Sequence, residues 1–183
     1  MNLRAKIKKK TSRHTPPSLL RPWKLIGKSV PVGVDNLSWS ILKPRKDAAP
    51  SDKEADTELQ SKLNVALSVI HECFEPIKEP GTKTDLVQDV LFNNTSRLNR
   101  LNFWGFYTVI LEEEDELISV ATVRIHNEKV AEVPLVGTRL HYRYQGMCSI
   151  LFGVLEQKLR ELEVERLLLP KEVERLLPLV SLR

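Results

Sequence analysis

Apolar residues recur at helical spacing in the first half of the chain, between Thr57 and Pro76. They fall on one face of a helix and are Leu59, Leu63, Ala66, Leu67, Ile70 and Phe74. Thr57 and Gln60 have the spacing of a capping box, in which the hydroxyl and the amide satisfy free N–H groups at a helix start. The pattern predicts a helix that begins at Thr57 and ends before Pro76. A second, shorter helix is predicted over residues 84–92.

The central part of the chain has the composition and period of β-strands. A run rich in aromatic and β-branched residues covers residues 103–110, and a similar run covers residues 117–125. The acidic sequence EEEDE, residues 112–116, separates the two runs, which predicts a hairpin with an acidic turn. A further turn at residues 127–128 and a third strand over residues 129–140 complete an antiparallel meander.

The last third of the chain follows the order strand, loop, helix and strand. The helix is predicted from one apolar face, formed by Ile150, Leu151, Val154, Leu155, Leu159 and Leu162. The run ERLLLP, residues 165–170, suits a buried strand. In such a unit the second strand lies parallel to the first, and the helix packs across both. The sequence predicts an α+β fold with a mixed sheet, in which an antiparallel meander is followed by a strand–loop–helix–strand unit.

Charge divides the chain into a basic tail and a globular part. Residues 1–34 contain nine Lys or Arg and no acidic residue, so the formal charge of +4 comes from the tail and residues 35–183 have an acidic balance. We predict a disordered tail over residues 1–34, a short strand and a linker over residues 35–56, and one domain over residues 57–183. Residues 1–28 are a solvated tail, a nuclear import signal or an arm with weak affinity for nucleic acid.

Cysteine content and hydropathy exclude several classes of protein. Cys73 and Cys148 form no CxxC pair, which argues against a disulfide scaffold and against structural zinc. His71 and Cys73 lie two residues apart on the predicted helix and point to different sides, so we do not expect them to share a metal ion. No apolar run reaches the roughly 18 residues of a membrane span, and we expect no contact with a membrane.

The hexapeptide RYQGMC, residues 143–148, immediately precedes the helix predicted in the last third. The first N–H groups of a helix lack acceptors within it and, together with the helix dipole, can bind an anion such as phosphate. Gly146 and Cys148 leave room for the anion to approach the backbone, and Arg143 adds positive charge. The alternative is a helix start with a chance glycine. The motifs of dinucleotide folds and of nucleotide P-loops are both absent from the sequence.

This hexapeptide fits the arrangement R/Q-x-x-G-x-G/A, in which backbone amides hold the pyrophosphate of acyl-CoA. The stretches around it, LNFWGFYTVILEEEDELISVATVRIH, KVAEVPLVGTRLHYRYQGMCSILF and LEVERLLLP, resemble the GNAT N-acetyltransferase superfamily. Within it, the chain resembles plant nuclear histone acetyltransferase-like proteins of the "increased DNA methylation" type. The resemblance covers residues 30–170 and implies a GNAT-like acyl-CoA N-acyltransferase fold, with acetyl-CoA as cosubstrate.

The resemblance also implies roles for individual residues. Glu132 matches the general base that takes a proton from the substrate amine through water, and Leu135, Val136 and Gly137 match the strand end that aligns the acetyl-pantetheine arm. The residues that match the pyrophosphate loop are Arg143, Tyr144, Gln145, Gly146, Met147 and Cys148. The implied function is acetylation of lysine in a histone tail or another nuclear protein, in the nucleus. The alternative is an inactive remnant that binds acyl-CoA or a protein partner.

Two features depart from the family pattern. Cys148 replaces Gly or Ala, and we expect it to serve packing, the alternative being a reactive thiol whose pKa is lowered by the helix N-terminus. The sequence ends soon after residues 165–170, where the family fold continues through a helix and two strands, so we expect a C-terminally incomplete domain with an uncovered sheet edge. We also expect no tyrosine in the role of the family's general acid and no PHD finger.

Overall fold

The structure is a computed structural model that describes residues 25–34, 36–44, 53–95, 101–126 and 129–171. The helices and strands within these residues are β1 (Val30–Pro31), β2 (Leu37–Leu42), α1 (Lys53–His71), α2 (Leu86–Leu91), β3 (Phe106–Glu113), β4 (Glu116–His126), β5 (Val130–Glu132), β6 (Val136–Thr138), α3 (Met147–Glu161) and β7 (Arg166–Leu168). A 3-10 turn, Leu140–Tyr142, lies between β6 and α3. The first 24 residues of the predicted tail and the predicted turn at residues 127–128 lie outside the described residues.

The strands form one mixed sheet. Its order is β1-β2-β3-β4-β5-β7, and β6 pairs with β4 beside β5. Neighbouring strands are antiparallel except β5 and β7, which are parallel, with Ala131 opposite Leu167. The helix α3 supplies the crossover between them, as parallel strands require. The predicted α+β class, the meander and the parallel strand after the last helix are confirmed.

Helices cover both faces of the sheet. On one face α3 contributes Leu151, Phe152, Leu155 and Leu159 to a cluster that includes Trp39, Val109, Ile118 and Ala131 of the strands. On the other face α1 and α2 contribute Leu63, Ala66, Val69, Ile70, Val87 and Leu91 to a cluster with Leu42, Ile110 and Val120. All the residues named are 3% exposed or less, so the core consists of two apolar layers with the sheet between them.

The hairpin of β3 and β4 has the predicted acidic turn. Glu114 and Asp115 both have positive φ, 47° and 72°, which is the conformation that a two-residue type I′ turn requires. Asn36, at the turn before β2, donates a hydrogen bond from Nδ2 to Oε1 of Glu114 at 2.8 Å. The two acidic residues therefore occupy a defined turn that is tied to the neighbouring hairpin.

The N-terminal half departs from the predicted boundaries. α1 begins at Lys53, about one turn before the predicted start at Thr57. Glu54 and Asp56 lie in its first turn, where acidic side chains interact favourably with the helix dipole, so part of the predicted linker is helical. β1 lies within the predicted tail and pairs with β2, so the folded unit begins before residue 34.

Two predicted strands also differ from the observed ones. Residues 129–140 do not form one strand, because residues 133–135 separate β5 from β6. The predicted buried strand at residues 165–170 is reduced to β7, in which only Leu167 joins the core while Leu168 is 56% exposed. Exposed and buried residues alternate along β7, as in a strand with only one face covered. The apolar run at residues 165–170 shows no sign of this alternation.

Gly137 marks the closest approach of α1 to the sheet. A Cβ atom at this position would lie 3.1 Å from Sγ of Cys73, 3.1 Å from Cδ1 of Ile70 and 3.3 Å from the carbonyl oxygen of Val69. The backbone oxygen belongs to the helix and cannot rotate away. A larger residue at this position would therefore require the end of α1 to move by a few tenths of an ångström.

We expect Gly137→Ala to destabilise the fold by about 1–3 kcal/mol, because the added methyl group must displace the end of α1. Urea denaturation of the purified chain measures the change. Gly153→Ala is the matched control, since Gly153 is exposed on α3 and a methyl group added there would have nothing within 4 Å. That substitution should stabilise the chain by roughly 0.5–1 kcal/mol through helix propensity. Equal effects of the two substitutions would contradict the packing argument.

Candidate functional site

A register shift separates β5 from β6 along their common neighbour β4. Glu132 pairs with Arg124, whereas Val136 pairs with Ala121, so three residues of one strand face two of the other. The N–H of Thr122 bridges this gap by donating to the carbonyl of Leu135 at 2.9 Å. Such a bulge bends its strand and adds local twist. The chain after Glu132 therefore bends away from the direction of β5.

The bulge leaves one edge of β6 without a partner strand. β5 has β4 on one side and β7 on the other, and the last bond between β5 and β7 runs from the N–H of Val133 to the carbonyl of Leu168 at 3.0 Å. In the described part of the chain no strand lies beside β6 on the side away from β4. The backbone groups of an antiparallel strand point alternately to its two edges, so those of Val136 face this open edge.

The open edge leads to a row of unpaired backbone donors at the start of α3. Within the described residues, none of the N–H groups of residues 144–149 has a hydrogen-bond acceptor. We call residues 144–149 the amide loop. The first turn of α3 contains no acidic side chain, and Gly146 takes the N-cap position with φ +83°. The donors and the helix dipole together produce a positive backbone site that no side chain of the described residues occupies.

The side chains predicted to hold a pyrophosphate are arranged differently from the prediction. The guanidinium of Arg143 points away from the amide loop and donates to the carbonyl oxygens of Thr138 and Glu72, at 3.1 Å in each case. Gln145 donates from Nε2 to the carbonyl of His141 at 2.6 Å, and Tyr144 is fully exposed. The Arg143 guanidinium is therefore engaged by two backbone carbonyls, and the amide loop itself offers backbone N–H groups.

Met147 and Cys148 pack against the core on the α3 side of the sheet. Burial raises the pKa of the Cys148 thiol to about 11. This direction is opposite to the one expected for the alternative of a reactive thiol with a lowered pKa. Cys148 serves packing, as expected.

Tyr142 ties the start of the loop region to the β3–β4 hairpin. Its hydroxyl donates to Oε2 of Glu116 at 3.1 Å. This hydrogen bond raises the pKa of Tyr142 to about 12, with smaller contributions from burial and from Glu113. The phenol is thus engaged away from the open edge of β6 and does not supply a proton donor there.

Glu132, the predicted general base, lies at the end of β5 just before the bulge. Its Oε1 atom lies 2.7 Å from Nε and from Nη2 of Arg124 and 3.0 Å from Nε2 of His126. The neighbouring strand β4 thus supplies two basic side chains to this carboxylate. Within the described residues no hydrogen bond or ion pair is formed by Oε2, so one carboxylate oxygen is held and the other has no polar contact there, in a side chain that is 27% exposed.

Sequence reasoning missed Arg124 and His126 as parts of this site. Arg124 is fixed by the ring of Phe106, 4.5 Å from the guanidinium carbon to the ring centre, and by a bond from Nη1 to the carbonyl of Asn102 at 3.1 Å. The alternation of Arg124 and His126 in β4 does put them on one face. Their position opposite Glu132 depends on the register of two strands, which the alternation alone does not give.

Residues 74–176, more than half of the chain, match the family described as Increased DNA methylation 1, C-terminal domain. This chain belongs to the Increased DNA methylation 1 C-terminal domain family. The protein Increased DNA methylation 1 of Arabidopsis thaliana is 45% identical to it over 147 residues, which are 76% of this chain and 12% of that protein. The predicted resemblance is confirmed, and the chain spans a small part of the length of this relative.

Solved structures identify the fold of this family member. It is similar to Tetrahymena GCN5 with a TM-score of 0.53 and 12% identity, over 74% of this chain and 72% of that chain. It is also similar to the ribosomal-protein-alanine N-acetyltransferase of Brucella melitensis biovar Abortus 2308, with a TM-score of 0.53 and 12% identity over 79% of this chain and 91% of that chain. At this identity the likeness establishes the fold alone, which is that of the GNAT acetyltransferases.

Neither a membrane-spanning helix nor a metal cluster is found among the described residues of this domain. None of the helices there is long and apolar enough to cross a membrane. No group of three or more His, Cys, Asp or Glu side chains there could hold a metal ion. His71 instead contacts Asp85, with 2.7 Å between Nε2 and Oδ2, while Cys73 donates to the carbonyl of Val69.

We expect Cys148 to react slowly with iodoacetamide at pH 8 and about tenfold faster for each pH unit up to about pH 11, because only the thiolate is nucleophilic. Mass spectrometry of the peptide that contains Cys148 measures the rate. The same peptide in the urea-unfolded chain is the control and should reach its maximum rate at lower pH. A rate in the folded chain that levels off below about pH 9 would show that the helix N-terminus stabilises the thiolate.

Proposed function

We propose that this chain is an acetyl-CoA-dependent N-acetyltransferase domain that acts on lysine of a nuclear protein such as a histone. The observation that carries the proposal is the amide loop, a row of unpaired backbone N–H groups at the N-terminus of α3, which follows the open-edged strand β6 in the chain. The negative charge of a pyrophosphate suits the amide loop, and the amide groups of a pantetheine arm can pair with the open edge of β6.

The order of these features along the chain suits an extended acyl-CoA molecule. The pyrophosphate would bind the amide loop, and the amides of the pantetheine arm would pair with the backbone of Val136. The thioester would then lie near the bulge, on the side of Glu132. Gly146 supports the first contact, since it brings no side chain between the anion and the backbone.

Glu132 is the residue of the site best placed to take a proton from the acceptor amine. A lysine ammonium must lose a proton before its nitrogen attacks a thioester carbonyl, and a positioned carboxylate can accept it directly or through water. Arg124 and His126 hold Oε1, which leaves Oε2 as the accepting atom. The two basic side chains orient the carboxylate in this proposal and do not take the proton.

The proposed acceptor and the proposed cell compartment are inferred from the charge of the chain and from its Arabidopsis relative. Residues 35–183 have an acidic balance, which favours a basic peptide such as a histone tail. The basic residues of the first 28 positions would serve as a nuclear import signal, with weak contact to nucleic acid as a further role. The Arabidopsis relative is called Increased DNA methylation 1, which is consistent with action in the nucleus.

A second candidate function is an acyl-CoA-binding module without catalysis. The observation that favours it is the close contact of Arg124 with Glu132, 2.7 Å from Oε1 to both Nε and Nη2. An ion pair of this kind can join β4 to β5 without any part in proton transfer. In that case the cofactor site would bind its ligand, and the chain would act through a protein partner.

We expect Ser149→Asp to weaken acetyl-CoA binding by at least about tenfold, or ~1.4 kcal/mol, because it places a carboxylate at the anion site. Ser149 is exposed in the first turn of α3, and the same carboxylate should stabilise the free chain by roughly 0.3–1 kcal/mol through the helix dipole. Isothermal titration calorimetry and thermal unfolding measure the two effects. Ser149→Asn, which has the same shape without the charge, should bind normally. Equal affinities of the Asp and Asn variants would count against the amide loop as the pyrophosphate site.

We expect Glu132→Gln to lower the rate of acetyl transfer to a histone peptide by about 10²–10⁴-fold while acetyl-CoA still binds, because glutamine cannot accept the proton. Transfer is followed by release of CoA, and binding by calorimetry. Glu163→Gln is the control, since Glu163 is exposed after α3 and should leave turnover unchanged. Binding without any transfer by the unmodified chain would favour the second candidate function.

A further inference from the structure

The residue that follows α1 anchors the segment between β6 and the amide loop. Glu72 accepts a hydrogen bond at Oε1 from Nη1 of Arg139 at 2.8 Å, and its Oε2 lies 3.4 Å from the N–H of Leu140. Arg139 also donates from Nε to the carbonyl of Leu117 in β4 at 2.7 Å. The Glu72 side chain thus fixes the chain at the point where it leaves the sheet and turns towards α3.

Arg143 adds a second link at the same place. Its Nε donates to the carbonyl of Thr138 at the end of β6, and its Nη2 donates to the carbonyl of Glu72 and lies 3.3 Å from Sγ of Cys73. One guanidinium therefore joins the end of β6 to the end of α1. The carbonyls at a helix C-terminus carry partial negative charge, so a cation is favourable there whether or not a ligand is bound.

The amide loop has few interactions of its own. The side chain of Gln145 donates to the carbonyl of His141, and the loop backbone includes positive φ angles at Tyr144 and Gly146, 64° and 83°. A backbone in the left-handed region persists only where the surrounding structure holds it, above all at a residue other than glycine such as Tyr144. Met147 and Cys148 hold the α3 side of the loop by packing against the core, and contacts of the preceding segment with Glu72 and Cys73 hold its other side.

We propose that Glu72 and Arg143 are positioning residues of the cofactor site, which hold the amide loop in its anion-binding conformation and do not contact the ligand. This inference rests on the proposed function and assigns to the end of α1 a role in acyl-CoA affinity. It also replaces the expectation that Arg143 is itself a pyrophosphate ligand, because the guanidinium is already engaged by two backbone carbonyls.

Substitution of Glu72 distinguishes a positioning role from a purely electrostatic one, because the two roles predict opposite changes in acetyl-CoA affinity. Removal of a negative charge near a polyanion site strengthens binding if only the electrostatic field matters. Loss of the bonds from Glu72 to Arg139 and Leu140 releases the loop and weakens binding if the residue acts by position. Glu75 is the matched control, since it lies three residues further along the chain, is exposed, and carries the same charge.

The first measurement is calorimetric titration of the full chain with acetyl-CoA. We expect Glu72→Gln to weaken binding about tenfold, as loss of hydrogen bonds to a charged group implies, and Glu75→Gln to leave it unchanged or slightly tighter. Glu72→Gln with affinity equal to or above that of the unmodified chain would overturn the proposal.

Arg143→Lys separates the two roles of the arginine. Lysine keeps the charge, but its single ammonium cannot join the separate acceptors that the guanidinium fork reaches. We expect this variant to lose about tenfold in affinity, close to the loss in Arg143→Gln. Affinity near that of the unmodified chain in Arg143→Lys, with a loss only in Arg143→Gln, would make Arg143 a charge ligand of the anion and overturn its positioning role.

Backbone ¹⁵N relaxation in the absence of ligand tests the loop conformation by itself. We expect order parameters of about 0.8 for residues 144–146, the part of the loop before α3, in the unmodified chain and below about 0.6 in Glu72→Gln and Arg143→Lys, with α2 unchanged in all of them. An unchanged loop in both variants would refute the positioning role. A loop that is rigid in the unmodified chain and loosened in the variants, together with no binding of acetyl-CoA, would refute the proposed function and leave the positioning role supported.

Discussion

One additional residue between β5 and β6 determines the arrangement of the site. If residues 132–138 continued in register with β4, β7 could extend along them and the sheet would close over the region. The extra residue shifts the register, so β7 stays with β5 while β6 follows β4 alone. A free strand edge, a bend towards α3 and a carboxylate at the bend all result from this single irregularity. Bulges next to functional sites are common for this reason.

The two helical layers contribute differently to the site. α3 is anchored in the core by large apolar side chains and presents its first turn beyond the sheet. α1 contacts the other face and ends against β6, where Gly137 permits direct packing. Residues from both layers therefore meet at the same end of β6, although neither helix alone could place a loop there. The fold of the GNAT acetyltransferases brings them together through the sheet between them.

Local patterns predicted the elements well because each depends on neighbours in sequence. Helical spacing indicated α1, α2 and α3, and the acidic turn between two β-rich runs indicated β3 and β4. The predicted capping box at Thr57 is wrong, because Thr57 lies inside α1. The hexapeptide indicated the start of α3, and the anion site that it also predicted there remains a prediction. The contacts of Glu132 with Arg124 and His126, and of Arg143 with the end of α1, join residues far apart in the chain. They depend on strand register and helix packing, which no local pattern specifies.

The N-terminus of α3 has no side-chain cap, and this affects the stability of the domain. Gly146 offers no side-chain oxygen to the first turn, whereas a capping Ser, Thr, Asp or Asn stabilises a helix by about 0.5–2 kcal/mol. A side-chain cap would satisfy the donors permanently and exclude an anion. Under the proposed function, a bound pyrophosphate would act as the missing cap, and folding would be linked to acyl-CoA binding. The melting temperature of the domain would then rise with the acyl-CoA concentration.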